Sequence, residues 1–346
     1  MTRKHILATL VVVVILGALF YLQFRSWQTF NWSIFWMETR RADPWRVLFA
    51  VLIVYCGYVI RALRWKIFLR PVCPTRTLEL LPAMIVGFAG LALLGRPAEL
   101  IRPYLVARRQ QLPFSSQVAV WMVERIFDTG SFAVLVTLTI FFAPSLRTLP
   151  YFAQFTAFGY FLVFAVLGMI AGAFLLWRNS QGFAAWVERR FTRWAPHLAH
   201  TAAERARAFG RGLHTIHDLP SFLELVGLSL LLWLMIALAY HQIAHAYPEP
   251  LRSMTIPHVL LLMGFGIAGS TIQLPAVGGG TQLANIAALA HIFGVPPELA
   301  VSCGIMLWLV TFVAIAPAGF LLARHEHLSL RKLEEEAEEE AREPKQ

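Results

Sequence analysis

Apolar residues run through the chain in long stretches separated by short polar joints. The first stretch, Ile6–Phe24, follows Arg3-Lys4-His5. It is longer than the apolar region of a secretory signal and no small-x-small cleavage site ends it, so it reads as a retained anchor helix. Further stretches fall near 47–69, 80–107, 117–143, 152–177, 222–246, 257–293 and 298–323. A helix crosses hydrocarbon with about 20 residues, and five of these seven stretches fit one span each. The other two, 80–107 and 257–293, are too long and are interrupted by Gly95-Arg96-Pro97 and by Pro275-Ala276-Val277-Gly278-Gly279-Gly280. Gly before a helix and Pro just inside one are start signals, so each interruption predicts a helix–break–helix hairpin that enters and leaves on one side. The expected fold is an all-α integral membrane protein: six full spans plus two broken-helix re-entrant hairpins, eight helical membrane elements in all.

The polar joints orient these elements. With the N-terminus inside, the inner face receives Arg61, Arg64, Lys66, Arg70 and Arg76, then Arg108 and Arg109, the arginine-rich 178–220 segment, and Arg324, Arg331 and Lys332. The outer face receives Arg25, Arg40, Arg41 and Arg46 in the first loop, and after that only Arg147 and Arg252. The asymmetry follows the positive-inside rule and predicts a cytoplasmic membrane protein with both termini cytoplasmic. The hairpins also resemble each other: a shift of 183 residues lays Gly95 on Gly278, Glu99 on Gln282, Leu100 on Leu283, Pro113 on Pro296 and Val118 on Val301. The first hairpin opens from inside and the second from outside, which predicts an inverted repeat.

The expected organisation is an anchor helix and outer loop over 1–46 and a first repeat over 47–177. An insert over 178–220, a second repeat over 221–328 and an acidic tail over 329–346 follow. In the insert, Phe183, Trp186, Val187, Phe191 and Trp194 recur at helical spacing opposite Arg189, Arg190 and Arg193. That pattern suits a helix lying in the inner interface or a connector packed on the protein.

Composition sharpens the class. Hydrophobic residues make up 58% of the 346 and charged residues 14%, beyond what a soluble domain of this size hides. Net charge is +10, and because the segment from Ser329 is acidic, the membrane-associated body is more basic still. Basic residues flank the spans rather than forming one face, which suits anionic lipid headgroups and argues against nucleic acid. Three scattered cysteines are too few for a disulfide framework or a thiolate metal site.

The chemistry lies in charges placed inside apolar stretches, where each ionised group costs roughly 2.5–3.5 kcal/mol unless it pairs or lines a polar cavity. Arg96, Glu99 and Arg102 are three apart and share a face of a half-helix expected to start at Pro97. Unpaired N–H groups and the positive end of the helix dipole at that start, beside two guanidiniums, make an anion site, above all for phosphate. A structural knot in which Glu99 neutralises both arginines is the alternative. Glu124, Arg125 and Asp128 share a face of the next helix, and the two groups together permit a closed ion network or one that exchanges a carboxylate for a substrate phosphate. The second break offers Gly278, Gly279, Gly280, Thr281 and Gln282 without charge: glycines for close approach, Thr281 as an N-cap, and hydrogen bonds that would complete the site from the opposite side. A simple turn is the alternative there too. His241/His245 and His214/His217 have ligand-like spacing but no third ligand, and no nucleotide loop, nucleophile elbow or HExxH motif occurs. Neither metal nor cofactor is expected.

Gly95-Arg96-Pro97-Ala98-Glu99-Leu100-Ile101-Arg102, followed by Glu124-Arg125-Ile126-Phe127-Asp128, resembles the lysylphosphatidylglycerol synthase transmembrane, or flippase-like, family. Leu274-Pro275 with Gly278-Gly279-Gly280 and Gly294-Val295 looks like that family's second block. The resemblance implies an all-helical bundle acting in lipid translocation, fused in some relatives to a soluble aminoacyl-transferase domain. Ala98 stands where the family usually has Gly, Gln282 replaces an acidic residue, and only the acidic tail follows the last span, so aminoacylation is not expected. The expectation is a non-enzymatic lipid flippase or lipid-phosphate-binding transporter. The alternative is a non-transporting lipid-binding partner of a separate glycosyltransferase or lipid synthase.

Overall fold

The computed structural model describes residues 30–168, 171–172, 219–270 and 279–325, with backbone alone at Arg96, Pro97 and His325. The anchor stretch, the 178–218 part of the insert, Gly278 and the acidic tail lie outside the described residues. All regular structure among the described residues is helical: α1 Trp32–Arg41, α2 Pro44–Leu69, α3 Thr77–Leu94, α4 Ile101–Gln110, α5 Phe114–Phe142, α6 Phe152–Gly168, α7 Leu219–His245, α8 Ile256–Gly269, α9 Gly279–His291, α10 Pro297–Trp308 and α11 Ala316–His325. Five helical stretches are long and apolar enough to cross a membrane: α2, α3, α5, α7 and the run Pro297–Arg324, in which a π-turn at Leu309–Val313 separates α10 from α11. This is an all-helical, multi-pass integral membrane protein.

Local chemistry sets the ends. Asp43 caps α2 by accepting the Trp45 N–H at 2.9 Å, with Pro44 pre-set at the first helical position. Asn31 caps α1 by accepting from the Ser33 and Ile34 N–H groups at 3.1 and 3.2 Å. α1 lies where the sequence suggests only an outer loop. It packs on α10 through Thr39, whose hydroxyl meets Ser302 Oγ at 2.7 Å, and Ser302 in turn meets Tyr247 OH at 3.0 Å.

The first long stretch is broken, and the second is divided into α8 and α9, with residues 271–278 between them outside the described residues. α3 ends at Gly95, whose φ of 77° favours glycine, and a 3-10 turn over Arg96–Leu100 leads into α4. α4 folds back on α3 so closely that a Cβ built at Gly87 would sit 2.8 Å from Arg102 Cβ. The half-helix thus starts at Ile101 rather than Pro97, because the chain first tightens into the 3-10 turn. In the second hairpin α8 and α9 pack together, and a Cβ at Gly269 would strike the Gly280 carbonyl. Thr281 lies inside the first turn of α9 and not at a cap. The 183-residue shift extends beyond the breaks: it carries Gln111 (φ 52°) onto Gly294 (φ 65°), and the first residue of α5 onto that of α10.

The apolar core has two main parts. One gathers the second half of α2 with α3, α4 and the start of α5 around Trp65, Met84, Val106 and Val123. The other gathers the end of α7 with α8, α9 and α10 around Ile243, Val259, Leu289 and Leu307. A cavity of about 570 Å³ lies among α2, α5, α6, α7 and α8, and Ile53, Tyr240 and Met263 of the second core part line it.

Candidate functional site

The ionic groups collect where α2, α4 and α5 meet. Three of the arginines come from turns whose neighbours are apolar, so their side chains have no water to retreat to and take partners across the bundle. Arg64, 0% exposed, places Nη1 2.6 Å from Asp128 Oδ1 and 3.9 Å from Glu124 Oε1, and its Nη2 donates to the Glu124 backbone carbonyl at 3.3 Å. Arg102 reaches Glu124 Oε2 at 2.8 Å from the opposite side. Arg125 sets Nη2 3.0 Å from Asp128 Oδ2 and 3.7 Å from Glu124 Oε2, and Arg61 approaches Asp128 Oδ2 at 3.8 Å. The guanidiniums of Arg61 and Arg102 also lie over the Phe88 ring, at 4.5 and 4.7 Å from its centroid, which offsets part of their lost hydration.

The cluster is layered. Arg64, Arg102 and Glu124 form a buried inner layer, and Arg61, Glu99, Arg125 and Asp128 line the cavity. Four guanidiniums face two carboxylates in the ion pairs, and Glu99 adds a third on the cavity wall, so positive charge is in excess. Alignment is incomplete as well: Arg61 Nη1, Arg64 Nε, Arg125 Nε and both Glu124 carboxylate oxygens are buried without a properly angled hydrogen bond. Buried donors left this way in a cationic cluster suit an anion that enters and leaves. Away from this end the wall is largely apolar, with Ile53, Phe132, Ala133, Val136 and Met263, and the polar groups there are uncharged: Tyr240, Ser270, Thr281 and Thr311.

The structure brings Glu99, Arg102, Glu124, Arg125 and Asp128 together, and it adds Arg61 and Arg64. Those two are not inner-loop residues of the kind the charge asymmetry suggests: they lie within α2. Their burial is the correction, and its signal was their distance from the end of α2, one and two turns inside an apolar helix. Glu99 and Arg102 do not share one α-helix, since the 3-10 turn ends between them. The Arg96 side chain lies outside the described residues. In the second hairpin Thr281 reaches the cavity wall, whereas Gly279, Gly280 and Gln282 do not line it.

The family model described as "Lysylphosphatidylglycerol synthase TM region" matches residues 6–319. No curated protein and no solved structure matches the chain.

Proposed function

Because the chain belongs to the lysylphosphatidylglycerol synthase TM-region family, a membrane family tied to lipid chemistry, we propose that it is a non-enzymatic lipid flippase of the cytoplasmic membrane. Both termini would be cytoplasmic and the two hairpins would be inverted repeats. A lipid with an anionic, phosphate-bearing headgroup binds at the ionic end of the cavity. Arg61 and Arg125, on the wall, contact the phosphate oxygens. Arg64 and Arg102 hold Glu124 and Asp128 behind them, so that Asp128 releases Arg125 to the ligand without leaving a bare charge. Thr281, on α9, contributes from the second hairpin.

One observation carries this reading: a cavity whose charged lining among the described residues, Arg61, Arg125, Glu99 and Asp128, is the face of an ion cluster with more arginines than carboxylates and with unfilled donors, and whose remainder is largely apolar. The test is reconstitution in phosphatidylglycerol-containing liposomes with a headgroup-labelled anionic lipid. Wild type accelerates crossing at least tenfold over protein-free vesicles and Arg125→Ala returns the rate to that background; equal rates in the two proteins remove the mechanism.

A second reading, a lipid-binding partner of a separate membrane enzyme, is favoured by the wall beyond Asp128. There Phe132, Ala133 and Val136 of α5 are apolar, and the wall beyond the ionic end carries no charged group among the described residues. Saturable lipid binding without accelerated crossing would select it.

A further inference from the structure

If an anionic headgroup occupies the ionic end, its hydrocarbon must leave the same cavity, and the walls differ in how they would let it. Between α2 and α7 the packing is closed: a Cβ built at Gly57 would already touch Leu232 Cδ1 at 3.5 Å. Towards α3 and α11, Tyr58, Ile85, Ala89 and Ile315 form a small buried cluster of their own.

The wall made by α6 and α8 is different. Phe158 of α6 and Ile267 of α8 line the cavity and are also 51% and 40% exposed. About half of the Phe158 side chain and two fifths of Ile267 are therefore uncovered by protein at this wall. Gly264, on the cavity face of α8, has open space around it, since an added Cβ would meet nothing within 4 Å. α6 packs closely on α5, where a Cβ at Gly159 would lie 3.1 Å from Ile140 Cγ2, and meets α8 through the Phe155–Phe265 ring contact at 6.1 Å.

We propose that the seam between α6 and α8 is an acyl-chain subsite, through which one hydrocarbon chain of a membrane lipid passes between the cavity and the bilayer. The inference rests on the lipid reading above and adds to it where the tail goes. Length supports it. From Arg125 to Val136 the cavity follows α5 for about 16 Å at 1.5 Å per residue. That is close to half of the ~30 Å hydrocarbon thickness, the depth that a chain from one leaflet occupies. Chemistry supports it as well: Phe158, Leu162, Met263 and Ile267 offer only apolar contact along the seam. Gly264 is the residue that keeps the passage wide, because any larger side chain there would project into it.

The test uses the full chain in vesicles of phosphatidylcholine with two photoreactive phosphatidylglycerols, one carrying a diazirine at the acyl end and one carrying it on the headgroup. The tail probe should label Phe158, Met263 or Ile267, and excess unlabelled phosphatidylglycerol should compete that label away at least fivefold. Label on Leu48 and Leu52, exposed on α2, should resist competition. The headgroup probe should label the α2–α5 surface near Arg61 and Arg125. Gly264→Leu should cut the competed tail label at least fivefold and leave the headgroup label unchanged. Headgroup label at the ionic end with tail label elsewhere, or tail label unaffected by Gly264→Leu, overturns the seam and spares the headgroup site. Absence of competed label from either probe overturns both.

Discussion

Replacing Glu124 by Gln should destabilise the protein more than any other conservative change in the bundle. The carboxylate is fully buried and stands 2.8 Å from Arg102, 3.7 Å from Arg125 and 3.9 Å from Arg64. An ion pair at about 4 Å is worth roughly 4 kcal/mol at the effective dielectric that suits protein interiors, and the contacts here compete for one charge. Removing one member of a buried pair typically costs about 3–5 kcal/mol, because the partner charge is left without compensation. Arg102 is the group stranded by Glu124→Gln, since its close ionic contact is with Glu124. For a chain of this length the loss corresponds to a fall of about 4–7 °C in thermal midpoint, readable by tryptophan fluorescence in detergent. Adding Arg102→Met removes the stranded charge, so the double variant should be at least about 2 kcal/mol more stable than the two single losses added together. Single effects under about 1 kcal/mol, or strict additivity, would show that the Glu124–Arg102 contact does not stabilise the inner layer.

Arg64→Leu should cost a similar ~3–5 kcal/mol in the same assay, because Asp128 loses its 2.6 Å partner, whereas Arg61→Ala should cost about 1 kcal/mol or less and weaken lipid binding instead. Gly87→Ala should cost about 1–3 kcal/mol, since its Cβ would press on Arg102 Cβ and Cα, and a loss-free variant would show that α4 does not sit tightly on α3. Ser302→Ala should cost about 1–2 kcal/mol by opening the buried hydroxyl chain from Thr39 to Tyr247, and amide exchange in α1 should rise with it.

Much of the fold was legible because span length and helix breaks are local properties. The starts of α5 and α10 follow Pro113 and Pro296, and Gly95 marks the end of α3, all from residues beside them in the chain. α1 escaped notice although Asn31 is a good N-cap, because ten residues after a span read as a loop when only apolar run length is scored. Within the site, Glu124, Arg125 and Asp128 stood out as charges well inside a long apolar stretch. Arg61 and Arg64 did not, since they lie near the end of a span, where basic residues serve as topology markers. Their partner Asp128 is more than sixty residues away, and only the packing of α2 on the rest of the bundle brings them together. Which arginines form the cavity wall is likewise a tertiary property, set by how α4 folds back across α3 and α5.

The claim on which the rest depends is that the ionic end of the cavity holds an anionic lipid headgroup. Native mass spectrometry of the protein released from mild detergent measures that directly. Wild type should retain an anionic lipid in preference to zwitterionic ones, and the paired change Arg61→Ala with Arg125→Ala should abolish that preference while leaving the fold intact. Equal retention of anionic lipid by the wild type and the paired variant would contradict the account.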